Sequence, residues 1–352
     1  MQTLTVDRAE RDQRFNKYLQ RKLPDAPSSF IYKMLRKKNI TLNGKKASGS
    51  ELLQEGDLVT LFLSDETFAK FGGKTDSAAD SDSSDDGREY IDAYRELNGR
   101  IGSSGILYED DHILAVRKPV GILSQKASDT DRSMNEWLVG YLLCEGKTDM
   151  SRVREFRPSV CSRLDRNTGG ILLCAKTLPG ARLLTQMLRD RTLRKYYQAA
   201  VLGSVRKGGD IEGYLKKDRG TNTVSFVLAD RSGQGNKKAG GNENGAWTRT
   251  FYRALMTGSR FSLLEMELIT GRSHQIRSHL SSIGHPILGD PKYGNVEVNR
   301  KLREKYGLRG QMLWCSRVEF PDTGDAFPGL SRKVILCDPP MLYRQIAGDT
   351  GE

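Results

Sequence analysis

Between Thr75 and Gly87 the chain reads TDSAADSDSSDDG, thirteen residues with no aromatic side chain and no aliphatic one larger than alanine. Such a stretch cannot bury enough apolar surface to offset the entropy of ordering it. It interrupts any continuous core, so the chain divides into at least two folding units. The charge changes sign at the same place. Residues 1–64 carry 12 basic against 7 acidic side chains, and residues 65–100 carry 5 against 10. We expect a small domain over 1–70, a flexible acidic tether over 71–100 and a second domain over 101–346.

The first unit shows two helical patterns and two strands. RFNKYLQRKL places Phe15, Tyr18, Leu19 and Leu23 at helical spacing. SSFIYKMLRKK predicts a second helix, capped by Ser28 or Ser29, with Phe30, Ile31, Met34 and Leu35 on its apolar face. NITLNGKK is a short strand running into an Asn43-Gly44 turn, and EGDLVTLFL closes the unit with another strand. Lys33, Arg36 and Lys37 share a polar helix face. With Lys38, Lys45 and Lys46 they form either a binding surface for a polyanion or an ordinary solvated face. The formal net charge of the whole chain is +12, which points to a polyanionic partner. No run approaches the ~20 apolar residues of a membrane span, and the N-terminus lacks a signal-peptide core. The expected partner is therefore nucleic acid and not a membrane, and the expected location is the cytoplasm. Five cysteines, an odd number with no C-x-x-C, fit core residues in a reducing compartment better than disulfides or zinc ligands.

The second unit alternates strands, turns and helices. GILYEDDHILAVRKP reads as strand, turn, strand, and MNEWLVGYLL as an amphipathic helix. GGILLCAKT is a buried strand and PGARLLTQML a helix, while KYYQAAVLG, TVSFVLAD, TFYRALMTG and FSLLEMELI are strands. Turns separate most of these strands, which predicts an α+β domain with a mixed, largely antiparallel central sheet and flanking helices. SGQGNKKAGGNENG, residues 232–245, reads as a hairpin extension. Several site motifs fail. FGGKT lacks the earlier glycine of a phosphate loop, since position 68 is Phe, and no G-x-G-x-x-G opens a helix. His274, His279 and His285 do not share a helical face and have no neighbouring cysteine, so no metal site is expected. Glu265 and Glu267 point to one face of a strand, as a carboxylate pair or as part of a solvated face.

Two constellations remain. CSRLDRNTGGILLCAKT sets Asp165 between Arg163 and Arg166, ahead of a Thr-Gly-Gly turn. The neighbouring arginines favour the carboxylate, and a charged Asp at a turn can be a nucleophile or simply an Asx turn with a surface ion pair. In TGRSHQIRSHLSSIGHPILGDPKYG, Ser273 can cap a helix whose first turn carries His274, Gln275 and Arg277. Ile276, Leu280 and Ile283 form its buried stripe, and a helix N-terminus favours anions.

On these blocks the sequence resembles a known family. SRLDRNTGGILLCAKT, RKYYQAAVLG and TGRSHQIRSHLSSIGHPILGDPKYG look like the three signature blocks of the RluA-type pseudouridine synthases. LYEDDHILAVRKPVGIL resembles the strand pair that opens their catalytic domain. RFNKYLQRKL through LNGKKASGSELLQEGDLVTLF is similar to the small α/β RNA-binding module named after ribosomal protein S-four. The resemblance implies a pseudouridine synthase fold that isomerises uridine in RNA without a metal, nucleotide or other cofactor. It makes Asp165 the nucleophile, Arg277 its ion-pair partner, and Tyr197 the tyrosine that stacks on uracil and acts as a base. It gives Arg163 the gap left by the extruded nucleotide, and Leu313 the apolar contact beneath the base. Two positions depart from the family pattern: Ser162 stands where His is most common, and Gly169 where Ser is usual. The implied substrate is structured RNA, with large-subunit ribosomal RNA favoured by the N-terminal module. Transfer RNA is one alternative, and a non-catalytic RNA-binding or ribosome-assembly protein is another. The chain is expected to act as a monomer.

Overall fold

The computed structural model describes residues 2–7, 10–71, 87–128, 130–217, 224–228 and 245–349. The chain forms two compact units, Met1–Ser84 and Asp85–Glu352. The acidic run 75–86 and the insertion at 232–244 lie outside the described residues.

The first unit contains β1 (Gln2–Thr5), α1 (Phe15–Lys22), α2 (Ser28–Arg36), β2 (Ile40–Leu42), β3 (Lys45–Lys46), β4 (Leu58–Leu61) and α3 (Asp65–Phe71). Its sheet has the order β1-β4-β2-β3 and every pairing is antiparallel. Phe15, Tyr18, Leu19, Leu23, Ile31, Leu35, Ile40 and Leu61 fill its core, as helical spacing and strand alternation demand. Each large apolar side chain buried there contributes about 1.5–3 kcal/mol. Asn43 and Gly44 both take positive φ, 50° and 70°, which suits the two-residue hairpin between β2 and β3. The expected serine cap of α2 is absent. Pro27 occupies the N-cap, and its carbonyl accepts from the Phe30 and Ile31 amides.

The second unit runs α4 (Arg88–Ile101), β5 (Ile106–Glu109), β6 (Ile113–Lys118), α5 (Met134–Cys144), α6 (Met150–Glu155), β7 (Ser159–Val160), β8 (Gly169–Ala175), α7 (Leu178–Asp190), β9 (Arg194–Leu202), β10 (Gly209–Lys217), β11 (Val224–Leu228), β12 (Ala246–Thr257), β13 (Phe261–Leu268), α8 (Gln275–Ser282), α9 (Val296–Tyr306), β14 (Leu313–Glu319), β15 (Val334–Leu336) and α10 (Leu342–Ala347). One mixed sheet carries the order β11-β10-β12-β13-β9-β14-β8-β6-β5, with β15 on β14 and β7 on β8. Among the described strand pairings only β14 with β8 is parallel, and an isolated parallel bridge joins Leu123 to Ser133. All seven residues of β8 are buried, so GGILLCA is the apolar spine of the unit. Among the described residues no helix is long and apolar enough to cross a membrane.

The tether expected over 71–100 is corrected at its C-terminal end. Residues 88–101 form α4, which buries Ala93, Leu97 and Ile101. Those three positions follow each other at i, i+4 and i+8, a helical stripe set among charged residues. The reading of α5 as amphipathic falls with it, because eight consecutive or near-consecutive residues from Met134 to Leu142 are buried around the helix. A helix buried on all sides needs a second cover, and α4 supplies it: Tyr94 lies against Trp137 and Tyr141, ring centroids 6.5 and 6.3 Å apart. The second unit therefore begins near residue 85, not at 101.

Candidate active site

Asp165 sits in the loop between β7 and β8, and its neighbours' backbones are fastened on both sides. The Leu164 amide donates to Ser124 Oγ at 3.0 Å, and that hydroxyl donates back to the Leu164 carbonyl at 2.8 Å. The Arg166 carbonyl accepts from the Gly121 amide at 2.8 Å and from Lys118 Nζ at 3.1 Å. The Thr168 amide closes a turn onto the Asp165 carbonyl, and Thr168 Oγ1 accepts from Gln311 Nε2 at 2.8 Å. The loop thus holds the Asp165 side chain in one place while leaving it 31% exposed.

Lys118, at the end of β6, is wholly buried and donates to three carbonyls, those of Ile122, Arg166 and Pro119. Three acceptors require three N–H bonds, so these contacts favour the ammonium form. Burial pulls Lys118 down to about 7, and the Asp165 carboxylate opposes that shift.

The partner of Asp165 comes from α8. Arg277 Nη1 donates to Asp165 Oδ2 at 3.0 Å across 112 positions of sequence. The flanking arginines of the R-L-D-R stretch do not take this role. Arg166 lies 3.7 Å from Asp131, and Arg163 is exposed with no acidic partner among the described residues. Arg277 is itself buried and fixed by Asp290, whose two oxygens accept from Nε at 2.7 Å and Nη2 at 2.8 Å. This two-pronged pairing orients the planar guanidinium and leaves Nη1 for Asp165. Asp290 Oδ1 also accepts from the Lys292 and Tyr293 amides. Burial raises the Asp290 carboxyl, but the Arg277 guanidinium and these amides outweigh it and bring it below the ordinary 3.8.

The start of α8 differs from the predicted serine cap. His274 is the N-cap residue, in a left-handed conformation with φ 55°, and makes no side-chain cap. Gln275 does the fastening. Its Oε1 accepts from Thr270 Oγ1 and the Arg272 amide, and its Nε2 donates to the Arg249 carbonyl and Thr250 Oγ1. Ile276 and Leu280 are buried as the spacing predicts.

Tyr196 and Tyr197 leave β9 on opposite faces, as strand alternation requires. Tyr196 lies under the Arg317 guanidinium, 3.8 Å from ring centroid to Cζ, on a face where Glu265 and Glu267 pair with Arg253 and Arg194. That network makes the two glutamates part of a charged sheet face. Tyr197 is buried beside Cys315 of β14, its register partner. Burial first, then Cys315 and the Asp165 charge, push its hydroxyl well above the ordinary phenol value. A phenol so placed is harder to ionise than an exposed one. Leu313 is buried on the same sheet face, two residues before Cys315.

Both departures from the family pattern have local reasons. A side chain at Gly169 would meet the Trp314 ring, 2.2 Å from an added Cβ, so glycine and the large indole fit together across the parallel pairing. Ser162 is buried and its hydroxyl accepts from the Leu173 amide of β8 at 3.0 Å, which ties the segment after β7 onto that strand.

Lys33, Arg36, Lys37, Lys38, Lys45 and Lys46 are all exposed, and none has an acidic partner among the described residues. Sequence reasoning missed Lys118, Asp290 and Tyr293. The first had a signal, a lysine ending an otherwise apolar strand. The second lies in GDPKYG, where Asp before Pro marks a turn.

A family model for RNA pseudouridylate synthase matches residues 112–282. The ribosomal large subunit pseudouridine synthase C of Rickettsia typhi is 31% identical over 81% of this chain and 83% of its own length. The synthase C of Vibrio vulnificus is 27% identical over 91% of this chain and 88% of its own. The synthase D of Borreliella burgdorferi is 34% identical over 62% of each. The solved structure of human RNA pseudouridylate synthase domain containing 4 covers 72% of this chain and 95% of its own, at 22% identity and a TM-score of 0.56, a likeness of fold.

Proposed function

The chain belongs to the RluA-type family of pseudouridine synthases, and from that membership we propose that it isomerises specific uridines of large-subunit ribosomal RNA with Asp165 as the nucleophile. The observation that carries this reading is the ion pair between a part-exposed Asp165 and a buried, doubly anchored Arg277. Asp165 attacks the nucleoside, the N1–C1′ bond breaks, the uracil turns, and a C5–C1′ bond forms; the bond to Asp165 breaks and returns the free carboxylate, while C5 loses its proton and N1 gains one. Product and substrate have the same atoms, so no co-substrate is needed. Tyr197, neutral and buried, packs against the uracil with Leu313 below it. Arg163 fills the space of the extruded nucleotide.

A uridine reaches Asp165 only by leaving its stack, which costs a few kcal/mol. Phosphate contacts offset that cost. The first unit acts as an S-four-type RNA-binding module through Lys33, Arg36, Lys37, Lys38, Lys45 and Lys46. The preference for ribosomal over transfer RNA follows the names of the relatives, which are ribosomal large subunit synthases. The protein works as a monomer in the cytoplasm, where five unpaired thiols are at home.

The test is tritium release from RNA labelled at uridine C5. The native protein is expected to release tritium from large-subunit ribosomal RNA, and Asp165→Asn none. Equal release by both removes Asp165 from the mechanism. Release from transfer RNA alone moves the substrate, and tight binding without release from any RNA makes the chain a binder.

A further inference from the structure

Asp165 and Arg277 are not alone at the mouth of α8. His274 holds its ring over the same carboxylate, with Nε2 4.0 Å from Asp165 Oδ2 and a side chain 13% exposed. Four ångströms is too long for a hydrogen bond, so this nitrogen is not spent on Asp165. The other ring nitrogen is occupied. Nδ1 lies 3.1 Å from the Tyr293 hydroxyl, and the two rings meet edge to face at 5.7 Å. The Tyr293 oxygen accepts from the Val224 amide of β11 at 2.8 Å. A phenol has one proton, and the assignment that satisfies all three groups sends it to His274 Nδ1. The imidazole then carries its hydrogen on Nε2, the nitrogen that lies toward the part-exposed Asp165 carboxylate. The left-handed backbone of His274 aims the ring there, and Gln275, fastened to both flanking segments, holds that backbone in place.

Resting on the function proposed above, we infer that His274 is a further catalytic residue: as a neutral imidazole it donates Nε2–H to an oxygen of the extruded uridine, and Tyr293 is the positioning residue that fixes its tautomer. Burial, more than charge, favours the neutral ring. Burial lowers His274 from its ordinary 6.5; Arg277 and Lys292 act in the same direction, while Asp165 and Asp290 oppose them. Arg277 Cζ also sits 5.1 Å from the Tyr293 ring centroid, so the same tyrosine braces both the guanidinium and the imidazole. A neutral donor supports developing negative charge on a uracil or ribose oxygen without pairing with Asp165 and blunting the nucleophile.

The chain has four histidines, which makes the tautomer directly readable. In the intact protein labelled with 15N-histidine, two-bond nitrogen–proton spectra at pH 7 are expected to show the His274 ring as neutral with hydrogen on Nε2, the signal being identified by its loss in His274→Asn. Asn is chosen because it tolerates the left-handed backbone. His274→Asn is expected to slow single-turnover tritium release by about 10²-fold while the Kd for RNA stays within about twofold. Tyr293→Phe removes the donor to Nδ1, so the ring becomes easier to protonate and the acid limb of the rate moves to higher pH. An imidazolium or an Nδ1–H tautomer at pH 7 would overturn the inference. So would an unchanged single-turnover rate in His274→Asn, or an unmoved acid limb in Tyr293→Phe. Those results, with the native protein active, sink this inference alone, whereas a native protein that releases no tritium sinks the reading beneath it.

Discussion

A carboxylate acts as a nucleophile only if something holds it still, and here the holding is done at second hand. Arg277 reaches Asp165 with one nitrogen because Asp290 fixes the other two. Asp290 is fully buried, so removing its charge leaves a guanidinium without its main counter-ion in a low-dielectric place. Asp290→Asn is expected to cost about 3 kcal/mol in urea unfolding, the lower end for breaking a buried pair, because the amide keeps one acceptor. Single-turnover release is expected to fall about tenfold through misplacement of Arg277. The folded-state value of Asp290 lies below its ordinary 3.8, so its contribution is complete above that value and lost as pH falls beneath it. A variant as stable as the parent would mean that Asp290 does not hold the guanidinium. R-L-D and H-Q-I-R were legible as blocks, and Arg277 was assigned to Asp165 by resemblance. Arg163 and Arg166 do not take the place of Arg277, because adjacency in sequence says little about where side chains point from a turn. Asp290 was not legible as the anchor, since nothing local in GDPKYG says which cation its carboxylate meets.

At the scale of elements, the join between α4 and α5 decides the architecture near the N-terminal end of the second unit. Gly140 of α5 has no room for a side chain: an added Cβ would sit 2.0 Å from the Tyr90 carbonyl of α4. Alanine in a helix interior gains up to about 1 kcal/mol over glycine, but overpacking costs roughly 1–3 kcal/mol, and a backbone clash belongs at the upper end. Gly140→Ala is therefore expected to lower stability by about 2 kcal/mol and to raise amide exchange in α4 ahead of the sheet. Protection in α4 equal to the parent's would show that the two helices do not depend on this close approach. Charge counting hid α4, because the helix carries Glu89, Asp92, Arg95, Glu96 and Arg100 on its outer face and only the i, i+4, i+8 stripe betrays it. The strands were easier to read. Alternation and turn residues mark them locally, and β9 shows the result, with Tyr196 and Tyr197 on opposite faces.

At the scale of the whole molecule the chain is two cores with an acidic run between them in sequence. The six basic residues named on the first core have no acidic partners among the described residues, so their charge is free to meet phosphates. Replacing Lys33, Arg36, Lys37, Lys38, Lys45 and Lys46 together by Gln is expected to weaken RNA binding and to flatten its salt dependence. The slope is expected to fall by about 0.7–0.9 for every phosphate that the protein no longer neutralises. An identical slope would place the RNA-binding surface elsewhere. The amino-acid sequence by itself determined the two-unit division, the fold class, the family and most individual elements, because entropy, periodicity and turn chemistry act over neighbouring residues. Only the tertiary structure decided that Asp290 anchors Arg277, that Tyr197 is buried beside Cys315, that Lys118 pins the loop, and that α4 covers α5. Each of these depends on burial and on which distant groups packing brings within a few ångströms.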